Sequence, residues 1–367
     1  MGGAAADGAI GPQQHTLPRM VTNVAVDPRS VRRVAMIRPR YLGDLCLTLP
    51  VVEAIRAACP LAQLAYVLEP DAASLLDGDA RIDQVITVPR AAGIGDTLSL
   101  IGRLRTFAPD VVFDLFCNPR TAVWTFGSGA RVRVGYPNKG WRSAAYTHHS
   151  RPRTLSSIGF HLASVASLGW PAIATHPRLY LHERYHAEAR AALAELGVAP
   201  GATLVGFHPG ARWETRRWAP ERFTELAALY LEATPGGVAL ITGGPGEGEL
   251  VEGIAGPLGA IRSRQIVGWP VSRLAALQSR CAAFVCGDTG PMHTAVAVGT
   301  PTLGLFSKSQ PATFFPYPES LGHRAYYSRV ECSPCNRDLC SDLRCLDRLH
   351  VDRAWTLLRE ILAHDRG

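Results

Sequence analysis

The residues best able to do chemistry gather in four short polar turns. The richest is Cys286-Gly-Asp-Thr-Gly-Pro-Met-His293, which follows the apolar run Ala282–Cys286 and precedes the small-residue run Thr294–Val298. A buried strand, a tight turn and a helix are expected there. Gly287 and Gly290 permit the reversal, and Pro291 suits a first helical position. Asp288 or Thr289 can cap the helix, whose free N–H groups attract phosphate. Asp288, Thr289 and His293 at one strand end are more polar chemistry than a cap requires.

The second turn, Pro39–Asp44, ends in an acid at a helix start. Asp44 is there either an N-cap or, in a cleft, a carboxylate placed to take a proton. The third, His208–Pro220, carries Thr215 and three guanidinium groups, Arg212, Arg216 and Arg217, just after a strand. Such groups suit diphosphate oxygens, and a plain surface cluster is the alternative. The fourth, Gly243–Glu247, lacks the G-x-G-x-x-G spacing of a dinucleotide fingerprint.

The elements that must hold these turns alternate between strand and helix. Strands are expected at 34–38, 63–68, 84–88 and 111–114, with helices at 45–58, 72–76, 96–107, 119–128 and 158–169. Residues 129–157 read as a Gly/Arg-rich loop region. A linker at 170–182 precedes a helix at 183–196. The alternation then restarts, with strands at 204–208, 238–242, 266–267, 283–286 and 302–305. Helices are expected at 220–233, 247–256, 271–280, 291–298 and 351–363. This order predicts an α/β chain of two doubly wound parallel-sheet halves. The expected divisions are a flexible leader (1–30), a first domain (31–176), a second (177–350) and a terminal helix (351–367). Ligands of open parallel sheets bind beyond the carboxyl ends of the strands, where all four turns lie.

The chain of 367 residues is 47% hydrophobic and 19% charged, which excludes a disordered chain. No apolar run reaches membrane-spanning length, and the start lacks the pattern of a signal peptide, so a cytoplasmic protein is expected. The net charge is +7. Between Asp114 and Glu183 there is no acidic residue, while Arg120, Arg131, Arg133, Lys139, Arg142, Arg151, Arg153 and Arg178 all fall in that span. The span is either a solvated basic face or a surface for an acidic substrate or anionic membrane. No nucleic-acid motif accompanies it, so no nucleic-acid partner is expected.

Taken together, RPRYLGDLCLTLPVVEAIR, HPGARWETRRWAPERFTELA, ITGGPGEGEL and CGDTGPMHTAVAVGTPTLGLF resemble the bacterial heptosyltransferases of lipopolysaccharide core synthesis, glycosyltransferase family 9. The resemblance covers roughly residues 33–320, with all four motifs in order. It implies a GT-B fold of two Rossmann-like domains around a cleft and an inverting transfer from ADP-heptose to the lipopolysaccharide inner core. No metal is needed for the chemistry. Alternatives are heptose transfer to a protein or another glycan, or a GT-B nucleotide-sugar epimerase.

The resemblance also assigns roles. Asp44 matches the family's catalytic base. Arg216 stands where the family usually has a diphosphate-binding Lys. Thr215, Arg217, Asp288, Thr289, Gly290 and His293 fall in the donor motifs, and Glu247 matches an acid that meets the adenosine ribose. The first half would bind a phosphorylated lipid A–core acceptor, with Arg120, Arg131, Arg133, Lys139 and Arg142 serving it, peripheral on the inner membrane.

Near the C-terminus Cys332, Cys335, Cys340 and Cys345 have the pattern C-x2-C-x4-C-x4-C. Either a structural zinc or iron site or reduced or disulfide-linked structural cysteines fit this density. Cys46, Cys59, Cys117, Cys281 and Cys286 lie in apolar contexts and are expected in the core.

Overall fold

The computed structural model describes residues 23–137, 140–173 and 176–364. Two six-stranded parallel sheets carry the chain. The first is built from β1 (Arg33–Ile37), α1 (Leu42–Ala58), β2 (Gln63–Leu68), α2 (Pro70–Ala73), β3 (Gln84–Thr87), α3 (Ile94–Phe107), β4 (Val111–Asp114), α4 (Pro119–Gly127), β5 (Val132–Gly135), β6 (His148–His149) and α5 (Ser157–Ala166). Its strand order is β3-β2-β1-β4-β5-β6.

The second half begins with α6 (Glu183–Glu195), β7 (Leu204–His208), α7 (Pro220–Ala233), β8 (Val238–Gly243), α8 (Gly248–Leu258) and β9 (Ser263–Val267). It continues with α9 (Val271–Gln278), β10 (Ala283–Gly287), α10 (Gly290–Ala297), β11 (Thr302–Phe306), α11 (Pro311–Phe314), β12 (Arg324–Tyr327), α12 (Arg344–Asp347) and α13 (Val351–Leu362). The sheet order is β12-β11-β10-β7-β8-β9. In each sheet the winding reverses between two central strands, β1 and β4 or β7 and β10, where a crevice opens for ligands.

The central strands form because nearly every side chain is apolar and can be covered on both faces. Val34, Ala35, Met36 and Ile37 of β1 and Ala283, Phe284, Val285 and Cys286 of β10 are fully buried. The five cysteines in apolar contexts are buried as expected. The terminal helix α13 packs its apolar stripe onto α7 and the second sheet.

The two halves share a core. One hydrophobic cluster runs from Val34, Leu45, Leu49 and Tyr66 of the first half into Phe284, Met292, Ala295 and Phe306 of the second. Its seam is the contact of α1 with α10. A Cβ on Gly43 would lie 2.5 Å from Cδ2 of His293, and one on Gly290 would lie 2.8 Å from Cδ2 of Leu42. Glycine at these two places lets the helices meet at backbone distance.

The 129–157 region differs from expectation. It holds β5 and β6, short strands of which β6 has only two residues. Two residues are too few for a periodic signal, and β5, Val-Arg-Val-Gly, sets Arg133 between its valines and so lacks the unbroken apolar run that marks β4. β12, also unexpected, carries half-exposed side chains at the edge of its sheet.

Candidate active site

A cavity of about 590 Å³ lies between the halves. Tyr41, Gly43, Asp44 and Leu47 form its wall on the first half. The opposite wall comes from the turns after β7, β8 and β10, with His208, Arg212, Arg216, Glu247, Asp288, Thr289 and His293. The four polar turns of the sequence therefore meet at one place.

Helix α1 starts earlier than expected, so Asp44 sits inside its first turn. Asp44 Oδ2 accepts from the backbone N–H of Tyr41 at 3.2 Å. Its Oδ1 pairs with the Arg38 guanidinium at 2.8 Å. Arg38 is buried, donates to the Leu115 carbonyl at 2.5 Å and lies 5.1 Å from the Phe116 ring centroid. Arg38 thus fixes the carboxylate from behind while Asp44 still borders the cavity. The sequence reading missed this residue, although an Arg ending an apolar strand is a signal in itself, because a buried Arg requires an acid or carbonyl partner.

Arg216 donates from Nη1 to the Asp288 carbonyl at 2.7 Å, and the same nitrogen stands 3.4 Å from the Asp288 carboxylate. Asp288 is buried, and its carboxylate also accepts from the Ser309 hydroxyl. It therefore does not cap α10. Thr289 is the N-cap residue but makes no side-chain cap bond, and its hydroxyl turns to the Gly287 carbonyl at 3.3 Å. The start of α10 is left open toward the cavity. Gly287 is required because a Cβ there would stand 2.5 Å from the Arg216 carbonyl oxygen.

Glu247 accepts from the Gly244 N–H at 2.7 Å, closing its own turn. His208 bonds Thr242 Oγ1 through Nδ1 at 2.9 Å. Burial pushes its imidazole down to about 4, with nearby Glu247 opposing the shift. Burial thus favours the neutral form of His208. His293 is buried, and burial lowers its basicity while Asp288 and Asp44 act in the opposite sense.

Other sequence candidates lie off the cavity. Thr215 is buried and donates to the Asp338 carbonyl at 3.3 Å. Arg217 is exposed and donates to the Ala211 carbonyl at 2.8 Å. Arg212, its neighbour, borders the cavity. Among the basic residues of the first half, Arg133 is spent on the Ala145 and Ala130 carbonyls at 2.7 and 2.6 Å. Arg120 donates to the Arg90 carbonyl at 2.7 Å and lies over the Trp124 ring, Arg142 reaches the Cys117 carbonyl at 3.3 Å, and Arg131 is exposed. Lys139 lies outside the described residues.

The cysteine loop contributes to the site through a residue other than cysteine. Among the described residues no three His, Cys, Asp or Glu side chains are grouped to hold a metal ion. The four thiols range from exposed Cys332 to buried Cys345, and Cys340 Sγ turns to the Asp342 carbonyl at 3.1 Å. Of the two alternatives for these cysteines, the structural zinc or iron site is therefore not supported. The loop is tied down by the N–H groups of Cys335 and Asn336 on the Lys308 carbonyl, at 3.1 and 3.2 Å. It brings Asp338 to the cavity, ion-paired to the buried ammonium of Lys308. That bond holds the Asp338 carboxyl below the usual range, with Arg216 and Arg212 adding to the effect.

No helix among the described residues is long and apolar enough to cross a membrane. The family model of glycosyltransferase family 9 (heptosyltransferase) matches residues 97–345. The chain is 25% identical over 297 residues to lipopolysaccharide heptosyltransferase 3 of Escherichia coli K12, covering 77% of this chain and 84% of that protein. The glycosyl transferase family 9 structure from Veillonella parvula superposes with a TM-score of 0.80 at 21% identity, covering 93% of this chain and 99% of that one. The E. coli ADP-heptose lps heptosyltransferase II gives 0.75 at 18% identity, covering 91% and 100%. Two parallel sheets around a cleft and these matches together give a GT-B glycosyltransferase architecture, and the chain belongs to glycosyltransferase family 9.

Proposed function

We propose that the protein transfers heptose from ADP-heptose to the inner core of lipopolysaccharide, with inversion at the anomeric carbon. The observation that carries this reading is the position of Asp44 on one wall of the cavity, facing Arg216, the open start of α10 and His293 on the other. The donor would lie along the second half, with its diphosphate near Arg216 and the start of α10. Glu247 borders the same pocket, where the adenosine ribose would sit.

Asp44 takes the proton of an acceptor hydroxyl as that oxygen bonds to C1 of the sugar. The bond from C1 to the phosphate oxygen breaks, and ADP departs with its electron pair. Arg216 and the Gly290 N–H at the start of α10 stabilise the charge that builds on the leaving diphosphate. Arg38 holds the Asp44 carboxylate in place.

The acceptor would be a phosphorylated lipid A–core glycan approaching the first half. The acid-free span 115–182 supports an anionic acceptor and peripheral contact with an anionic membrane from the cytoplasmic side. The relatives named as lipopolysaccharide heptosyltransferases support the same donor and acceptor classes. Incubation with ADP-heptose and a deep-truncated core acceptor, followed by mass spectrometry, tests the reading. One added heptose is expected, and an unchanged acceptor with released heptose would overturn it.

A further inference from the structure

His293 faces the cavity but is held from outside it. Its Nδ1 lies 2.5 Å from the hydroxyl of Tyr317. The two rings meet edge to face, with centroids 6.0 Å apart. Tyr317 is itself buried and packs against the rings of Phe315 at 4.9 Å and His323 at 5.8 Å. On its other edge the imidazole lies against Gly43, where a built Cβ would be 3.0 Å from Nε2. Nothing in the sequence motifs pointed to Tyr317, which lies 24 residues downstream in an irregular stretch.

Two hydrogen-bond directions fit the distance, and burial separates them. If Nδ1 carried the hydrogen, the phenol oxygen would accept and its own O–H would stay buried with no acceptor among the described residues. Such an orphaned donor is costly. If the phenol donates, its O–H and Nδ1 satisfy each other, and the imidazole hydrogen must be on Nε2, the nitrogen on the side of Gly43, itself a residue of the cavity wall. The charged groups that act on His293 are Asp288 and Asp44 on one side of the balance and Arg216 on the other, with burial the largest influence and favouring the neutral ring.

We propose that Tyr317 is a positioning residue that donates to Nδ1 of His293 and fixes the imidazole in its Nε2–H form, so that His293 offers one neutral N–H to an oxygen of the bound sugar nucleotide. This rests on the donor-site reading above. It makes His293 a hydrogen-bond donor rather than a second base beside Asp44, and it extends the machinery to a residue outside the cavity lining.

Long-range proton–nitrogen correlation spectra of the ¹⁵N-histidine-labelled enzyme read the tautomer directly, with His293 assigned from its missing signals in a His293→Gln variant. The free wild-type enzyme is expected to show Nε2 protonated and Nδ1 bare, and Tyr317→Phe to show a mixture of tautomers. The same variant should lose roughly five- to tenfold in kcat/KM for the donor, the size of one hydrogen bond. An Nδ1–H form in the wild type, or an unchanged tautomer in Tyr317→Phe, would overturn the proposal. Added ADP-heptose should shift the Nε2 resonance. An Nε2–H form that gives way to a mixture in Tyr317→Phe but ignores the nucleotide sugar supports Tyr317's hold on the ring while removing the donor reading, so the two fail separately.

Discussion

Gly43 and His293 touch across the two halves of the molecule, the first immediately before Asp44 in α1 and the second in the first turn of α10. The space a Cβ would need on Gly43 is filled by the imidazole, at 2.5 Å from Cδ2. Gly43→Ala is expected to cost about 1–3 kcal/mol, as overpacking of a close contact does. It should also push His293 from its place beside Tyr317. Thermal unfolding together with the donor KM checks this, and an alanine variant of wild-type stability and KM would show that the helices are free to part.

Asp44→Asn should remove transfer while leaving ADP binding nearly intact. The amide keeps the size of the side chain and can still accept from the Tyr41 N–H, but it cannot take a proton. General-base catalysis is worth ~10²–10⁴-fold, so activity within tenfold of wild type would exclude the role.

Arg216→Ala should raise the donor KM and lower kcat, whereas Arg216→Lys should keep much of the activity. The guanidinium already lies 3.4 Å from the Asp288 carboxylate, so a variant without it leaves that buried acid with the Ser309 hydroxyl as its remaining side-chain partner. Titration calorimetry with ADP decides. Unchanged affinity and rate in the alanine variant would exclude a diphosphate contact.

Asp338 puts a negative charge where the diphosphate would come, beside Lys308 and near Arg216 and Arg212. Asp338→Asn should therefore tighten ADP binding, by roughly two- to fivefold for a largely exposed charge, and more so at low salt. Weaker binding would mean that Asp338 holds the loop in its binding form and does not compete with the ligand.

The basic span divides by geometry. Arg133 is committed to two backbone carbonyls, so Arg133→Ala should destabilise the β5–β6 region, by about 1–3 kcal/mol for acceptors left without their donor. Arg120, Arg131 and Arg142 are the better test of acceptor attraction. Replacing all three by Gln should raise the acceptor KM and blunt its salt dependence with the donor KM unchanged. Loss of donor affinity with acceptor affinity kept would reverse the assignment of the two halves.

Much of the architecture was legible because its central strands are uniformly apolar and each ends in a polar turn. β7 and α7 fall at the expected residues, as do β2 and β4. Asp44, Arg216, Asp288 and His293 reach one cavity because strand ends of parallel sheets point the same way. What stayed hidden depends on contacts remote in sequence. Arg38 became meaningful only with the Asp44 carboxylate at 2.8 Å. Asp338 reaches the cavity because the cysteine loop folds back onto Lys308. Thr215 and Arg217 flank Arg216 in sequence, but the short helical turn at Glu214–Arg216 sends the three side chains in different directions.

The core that runs beneath the cavity also limits how such a protein can be recombined. A chimera joined in the stretch between α5 and α6 would pair α1 from one parent with α10 from another. Leu42, Gly43, Gly290 and His293 would then have to fit a surface they were not shaped against, even with both sheets intact. Exchange of donor or acceptor preference between relatives should succeed when these four residues travel together. When they are split, the hybrid should fail as a misfit at the joint before any question of substrate arises.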